Sequence, residues 1–501
     1  PLPPPEPPLR RPLALTRLIG ALLDRAPDLA PRAAIFDLAD SLAALLDEME
    51  DEDIPPDRLA ALDVAEHAAH WRRMQAFLAI AAPLAAGGRL GAAVAALADR
   101  WAVRPPQGPV VLAGSTGSRG STLRLMGAVL ALPQGAVVLP GHDGDTPAEV
   151  WDAMDDALTA EDHPQYRTRR LMQAMGLTPA DLRPWTATPP AAPARNRVVS
   201  LALRPAPVTD RWLAEGRDLP DLPAAMAEVT LIEAPDPRAE AQAIALILRQ
   251  AAETGTPATL ITPDRTLARR VTAALDRWGL RPDDSAGRPL ALSAPGRFLR
   301  HVAALAGQRL TAEALLVLLK HPLTATGADR GDHLRLTRDL ELHLRRHGPM
   351  FPEPADLARW AHDRGGEAPL AWAQWIGATL APLAEAADLP LADHVARHRT
   401  AAEALATGPG GTGPAELWSR EAGLAARAAV DDLAAEAHHA ASLGPQDYAD
   451  LFAAVLSRRV VRETVETHPH LRILGPREAR ETLTGLTVLG GLTDGVWPAL
   501  P

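Results

Sequence analysis

The chain has 501 residues, too many for one compact core and enough for several domains. A formal charge of −11 argues against a surface coated for non-specific nucleic-acid binding and leaves room only for a local basic groove. The absence of cysteine excludes a disulfide framework, a thiolate zinc site and a Cys-ligated iron–sulfur cluster within these residues.

All but one of the 51 basic side chains are arginine, the exception being Lys320 in "LLKHPL". No Gly-Lys-Ser/Thr phosphate loop can therefore be written anywhere in this sequence. Pro1 in place of Met, and an end at "DGVWPALP" directly after an apolar run, predict a piece of a longer protein. No secretory leader and no apolar run of membrane-spanning length is found, so a cytoplasmic location is expected.

Residues 1–104 read as helical. Ile35, Leu38, Leu42, Leu45, Leu46 and Met49 keep the 3-and-4 spacing of one buried face. The acidic run "DEMEDED", Asp47 to Asp53, reads as a solvated helix end before Pro55-Pro56, with a divalent cation as the other reading.

From Pro109 the texture becomes α/β. Val110–Ala113 and Ala136–Leu139 read as strands around a helix carrying Leu123, Met126, Val129 and Leu130, a unit that implies a parallel pair. The loop between the first strand and that helix, "GSTGSRGS", has the Gly/Ser texture of an anion cradle. Residues 186–227 are Pro/Ala-rich, with one β-like run, "RVVSLAL", and read as a boundary.

A second α/β unit is predicted from "EVTLIEA". Val229–Ile232 reads as a strand, Glu240–Ala252 as a helix with Ile244, Ile247 and Leu248 inward, "ATLITP" as a strand and "RTLARRVTAALDRWGL" as a helix. Residues 298–465 then look almost wholly helical, broken at "TGPGGTGP", and "LRILG" and "GLTVLGGL" return as strands. No GxGxxG follows either first strand, which argues against a dinucleotide enzyme.

Metal and nucleophile signals are weak. His343 and His347, or His67 and His70, offer two ligands on a helix face with no third at a recognised spacing, and Asp143 and Asp145 in "GHDGD" fit a turn equally well. No metal site and no catalytic residue is assigned. Four arginine clusters stand out: Arg167/Arg169/Arg170, Arg265/Arg269/Arg270, Arg458/Arg459/Arg462 and Arg477/Arg480. Planar guanidinium groups suit phosphodiester oxygens, while solvated helix faces paired with acids are the plainer reading of any one cluster.

The stretches "DLADSLAALLDEME", "AGSTGSRGSTLRLM", "LPQGAVVLPGHD", "HPQYRTRRLMQAMGL", "ITPDRTLARRVTAALDRWGLRPDDSAGRPL", "LLKHPL" and "LRILGPREARETLTGLTVLGGLTDGVWP" together carry a family likeness. In their order the chain resembles the AddB subunits of bacterial AddAB helicase–nucleases, of the alphaproteobacterial type. The resemblance implies two RecA-like lobes of the UvrD-type superfamily 1 helicases, with large helical insertions. Residues 1–104 would be the insertion of the first lobe and 105–228 the rest of that lobe with a linker. Residues 229–300 would open the second lobe, 301–465 would be its insertion, and 466–501 its return strands. A nuclease domain, with its iron–sulfur cluster and Mg²⁺, would follow residue 501. No cofactor is implied within this stretch.

The same resemblance implies which positions have departed from a working ATPase. Ala113 and Gly114 stand where such helicases carry the acids that hold Mg²⁺, and Pro263, after Thr262, stands where they carry a γ-phosphate Arg. Leu483 replaces an acid on the nucleotide ribose, while Arg477 and Arg480 replace a His and a Lys. Retained contacts to a DNA strand would come from Arg265, Arg269, Arg477 and Arg480, and from Ser115, Thr116 and Ser118. The implied partners are an AddA-like ATPase subunit, DNA ends and single-stranded DNA, with no membrane. The implied activity is processing of double-strand breaks for recombinational repair. The alternative from a different class is a non-catalytic α/β-plus-helical scaffold for protein partners.

Overall fold

The computed structural model describes residues 6–52, 54–55, 58, 68–81, 84, 89–219, 221–414, 416–462, 466–481 and 485–497. Helices of eight residues or more are labelled here. The chain opens with α1 (Arg10–Arg25), α2 (Ile35–Glu52), α3 (Ala68–Ala81) and α4 (Arg89–Val103). Leu42, Leu46 and Met49 of α2 are buried with Leu15, Ile19 and Leu23 of α1, and Ile35, Leu38 and Leu45 pack against the same cluster. The expected stripe is therefore the core face.

A small parallel pair follows. β1 (Val110–Ala113) and β2 (Gly135–Val138) flank α5 (Gly120–Leu130), with Val110 opposite Gly135 and Ala113 opposite Val138. Met126 and Val129 are buried under the pair, whereas Val111 is half exposed. Next come α6 (Tyr166–Met175) and α7 (Pro193–Ala202) among short helical turns.

Helix α7 corrects the β-like reading of "RVVSLAL". Its first turn begins at Pro193, whose fixed φ suits a helix start, and the Trp212 indole N–H ties it down by donating to the Leu201 carbonyl at 2.9 Å. Two adjacent valines cost a helix a few tenths of a kcal/mol each, about what such anchoring offsets. The strand expected at Val229–Ile232 is likewise absent. That segment lies outside any helix or sheet, with Leu231 79% exposed. Apolar β-branched texture signals a strand only where a ladder partner is supplied.

The larger sheet is built from α8 (Pro237–Thr254), β3 (Ala258–Ile261), α9 (Arg265–Asp276) and β4 (Asp283–Asp284). Helix α8 starts at Pro237 behind Asp236, whose carboxylate accepts from two backbone N–H groups at 2.8 Å, and stops at Gly255 in the left-handed region. β5 (Arg288–Pro289) then leads into a helical region: α10 (Ala294–Ala303), α11 (Ala312–Lys320), α12 (Arg330–His347), α13 (Pro354–Arg364), α14 (Glu367–Leu380), α15 (Leu391–Thr407), α16 (Arg420–Glu436) and α17 (Pro445–Ser457).

The chain returns through β6 (Val460–Val461), which pairs antiparallel with β5, to β7 (Leu471–Leu474) and β8 (Leu486–Leu489). The four parallel strands lie in the order β4-β7-β3-β8, with Ala258 opposite both Leu471 and Leu486. Strands from opposite ends of the inserted helical region thus share one core of Leu260, Val271, Leu471 and Ile473. The fold is mixed α/β and mostly helical.

The inserted helices have their own core around Phe298, Trp372, Tyr448 and Phe452. Leu9 and Leu13 at the start of α1 are buried in that core as well, and Arg10 pairs with Glu436 at 3.0 Å. Among the described residues no helix is long and apolar enough to cross a membrane.

Candidate nucleic-acid interface

The loop after β1 has the geometry its glycines suggest. Gly114 (φ 82°) extends the ladder by donating to Val138 O at 3.3 Å, and Gly117 (φ 67°) donates to Ser115 Oγ at 3.2 Å. Both take backbone angles that favour glycine. The free N–H groups then open α5, which is where an anion would be held.

The anion is the protein's own. Gly120 N–H donates to Glu52 Oε1 at 2.9 Å, Ser121 Oγ to Asp51 Oδ1 at 2.7 Å, and Arg124 to the Asp51 carbonyl at 3.1 Å. A side chain at position 120 would place its Cβ 2.5 Å from that carbonyl, so only glycine allows α2 to approach. The acidic end of α2 was expected to be solvated; Asp51 and Glu52 instead occupy the N-terminus of α5, where negative charge is favourable. Asp53 and Pro56 lie outside the described residues. Ser115 and Thr116 are half-buried and Ser118 and Ala113 exposed.

The second candidate region is the C-terminal edge of the four-stranded sheet, the edge at which open parallel sheets bind ligands. It gathers Thr262–Arg265 after β3, Asp284 at the end of β4, Gly475–Arg480 after β7 and Gly490–Gly491 after β8. Asp264 caps α9 by accepting from Thr266 N at 2.7 Å. Arg265 makes a two-bond pair with Asp284 at 3.1 and 2.6 Å. Gly491 N–H donates to Glu240 Oε1 at 2.7 Å, locking the start of α8 to the end of β8.

Against these satisfied groups, Arg269 has only a 3.3 Å bond to Thr266 Oγ1, and Arg477 and Arg480 are exposed without an ion pair among the described residues. The edge brings Pro263, Arg265, Arg269, Arg477 and Arg480 together and leaves Ser115, Thr116 and Ser118 on the other sheet. Leu483 lies outside the described residues.

Two of the other arginine clusters are largely engaged by carboxylates. Arg167 pairs with Glu161, Arg169 with Asp152 and Asp155, Arg458 with Asp40, and Arg459 with Asp432. Arg462 donates to the Ser285 carbonyl at 3.1 Å. In "GHDGD" the Asp143 carboxylate accepts from Asp145 N at 2.9 Å and Thr146 Oγ1 at 2.7 Å, the bonding of a turn.

The rings of His343 and His347 lie 6.2 Å apart, while His67 is outside the described residues. Among the described residues no three His, Asp or Glu side chains converge as a metal-ligand group.

Sequence reasoning missed the carboxylates that decide both regions: Asp51 and Glu52 at one, Asp284 and Glu240 at the other. Each sits between 19 and 251 positions from its partner, beyond any local signal. No protein-family model matches the chain, and no curated protein matches it.

Proposed function

We propose that this chain forms a helicase-shaped channel for single-stranded DNA within an ATP-dependent helicase–exodeoxyribonuclease that processes double-strand breaks. In this reading residues 105–228, and 229–300 with 466–501, are two RecA-like lobes. Residues 301–465 are an insertion, and an AddA-like partner supplies ATP hydrolysis. The observation that carries it is the pair Arg477 and Arg480, exposed and, among the described residues, free of carboxylates at the C-terminal edge of the larger sheet in a chain of net charge −11. Guanidinium groups left open in that way suit a passing phosphate backbone, which fixes position without reading sequence.

The chain's own residues do not equip it to hydrolyse ATP. Phosphoryl transfer on such a fold needs a Lys on the outer phosphates, an acid for Mg²⁺ and positive charge on the transferring group. The single Lys320 is paired with Glu341, and the N-terminus of α5 is held by Glu52. With no cysteine, these residues supply no thiolate for an iron–sulfur cluster either. The role left to this chain is to bind and orient a strand.

The test is the salt dependence of oligothymidylate binding. Each single-strand phosphate contact contributes about 0.7 to the slope of log affinity against log salt, so the double variant R477A/R480A is expected to flatten it by about one to two units. An unchanged slope and affinity sinks the channel reading. ATPase turnover by the chain alone, abolished by R265A or R269A, makes it a motor in its own right and overturns the division of labour.

A further inference from the structure

Helix α10 begins ten residues after Asp284 of the arginine-bearing edge, and it is two-faced. Phe298, Leu299, Val302 and Ala303 are buried in the insertion core, while Arg297, Arg300 and His301 are exposed at i, i+3 and i+4, the spacing of one helix face. None of these three side chains has a hydrogen bond or ion pair among the described residues.

Beside them stands His321, at the end of α11 and only 8% exposed. Its ring is 6.4 Å from that of His301, edge to face, and 5.0 Å from Phe298. Nδ1 accepts from Leu323 N at 3.2 Å, so the neutral ring carries its proton on Nε2. That nitrogen is buried and has no acceptor among the described residues. A buried donor without a partner is rare enough in proteins to demand an explanation.

The surroundings of the two rings are positive throughout. Burial, then His301, Arg297 and Arg330, push the His321 imidazole down to about 4, and burial with Arg300 and Arg297 lowers His301. No carboxylate acts on either ring among the described residues. Arg330 is engaged by the carbonyls of His321 and Thr324, and the nearby Lys320 by Glu341. Among the described residues, two guanidinium groups and two imidazoles remain without an acceptor for a free N–H.

We infer that Arg297, Arg300, His301 and His321 form a receptor for one phosphate group. Two planar forks and two imidazole N–H donors offer more donors than a carboxylate's two oxygens can use, whereas a phosphate has oxygens for all of them. The site stands on its own geometry. Only the carrier of the phosphate, a single-stranded polynucleotide leaving the sheet edge along α10, rests on the proposed function.

The test uses the full chain with labelled histidines, titrated with inorganic phosphate, acetate and oligothymidylate. Phosphate is expected to shift the His301 and His321 ring signals and to raise both from their depressed values by about one unit, since an anion favours the charged ring. The double variant R297A/R300A, at exposed positions, is expected to keep the fold and lose both effects. It should also lower the salt slope of oligothymidylate binding by about 1.4, for two contacts at ~0.7 each.

Signals that ignore phosphate, or follow acetate equally, overturn the site and leave Nε2 to a bound water. Phosphate binding without any oligothymidylate binding upholds the site with a free phosphate as its ligand and defeats the DNA reading. Oligothymidylate binding that depends on Arg477 and Arg480, with the histidines silent, upholds the DNA reading and overturns this site.

Discussion

The two parallel sheets among the described residues carry loops that behave in opposite ways. After β1, a Gly/Ser loop runs into a helix whose first N–H, on Gly120, is held by Glu52 and whose Ser121 hydroxyl is held by Asp51. After β3 the loop holds its own turn closed through Asp264, and after β7 Arg477 and Arg480 stay open among the described residues. The first loop is a completed internal joint and the second is an unfilled surface. The difference teaches that a loop's donors are written locally, whereas their occupant is decided by whatever the distant chain places against them.

The largest expected contrast concerns the strands behind each loop. Leu260 of β3 is fully buried in the core it shares with α8 and α9, while Leu112 of β1 is only half-buried. Leu260→Ala is expected to cost about 2–5 kcal/mol, because it removes buried methyl groups and leaves a cavity in a close-packed core. Leu112→Ala is expected to cost less than about 1.5 kcal/mol, with so little apolar area withdrawn from water there. Urea unfolding of the two variants measures both. Equal losses would mean that the two-stranded pair is as well buried as the larger sheet, and the contrast between them would collapse.

Acid should separate the regions next, through the insertion that hangs from the open edge. His398 is buried, its Nε2 facing the Leu299 carbonyl at 2.9 Å and its Nδ1 the Tyr448 hydroxyl at 2.6 Å. Burial lowers it from 6.5 to about 4, against a small opposing effect of the Leu299 bond. The unfolded chain therefore binds a proton on this residue between those values that the folded chain refuses. The stabilisation from the neutral ring is complete above pH 6.5 and is lost as pH falls toward 4.

At 1.36 kcal/mol per unit the loss is at most about 3 kcal/mol. Thermal unfolding between pH 7.5 and 4.5 should show the insertion weakening, with His398→Gln flattening the dependence. A wild-type curve that is flat over that range removes His398 from the account.

Much of the fold was legible because periodicity reports burial directly. The stripe Leu42, Leu46 and Met49, the strands at Val110, Ala258, Leu471 and Leu486, and the helical insertion all follow from apolar spacing. The misreadings at "RVVSLAL" and "VTLIEA" share a cause. Both are short β-branched runs whose state depends on a partner strand, and neither has one among the described residues.

The candidate site was legible only as donors. Arg265 looked as available as Arg480, yet Asp284, 19 residues on, holds it in a two-bond pair. Nothing in the spacing of the arginines distinguishes the engaged from the open.

A smaller effect tests the closed loop. Glu52→Ala removes the acceptor for Gly120 N–H, so it is expected to destabilise the chain by about 1 kcal/mol, the usual cost of losing a helix N-cap. Oligothymidylate affinity should not change, because α5 is not on the proposed path. A variant that is unaltered in stability would show that water satisfies that N–H as well as the carboxylate does. One that binds DNA more tightly would move the interface to the first sheet.

The smallest expected change in stability belongs to R477A/R480A, and its value lies in the pairing with Glu52→Ala. Both arginines are exposed and neither holds a carboxylate, so truncating them breaks no ion pair among the described residues. Surface substitutions of that kind usually fall within about 0.5 kcal/mol of neutral. If the edge is an open surface for a phosphate backbone, this variant unfolds like the parent in urea while its salt slope for oligothymidylate flattens. Glu52→Ala should show the reverse: weaker folding and an unchanged slope. A loss of several kcal/mol in R477A/R480A would mean that the two guanidinium groups hold the sheet edge together, as Asp51 and Glu52 hold α5. The two loops would then be of one kind, and the channel would have to be sought elsewhere on the molecule.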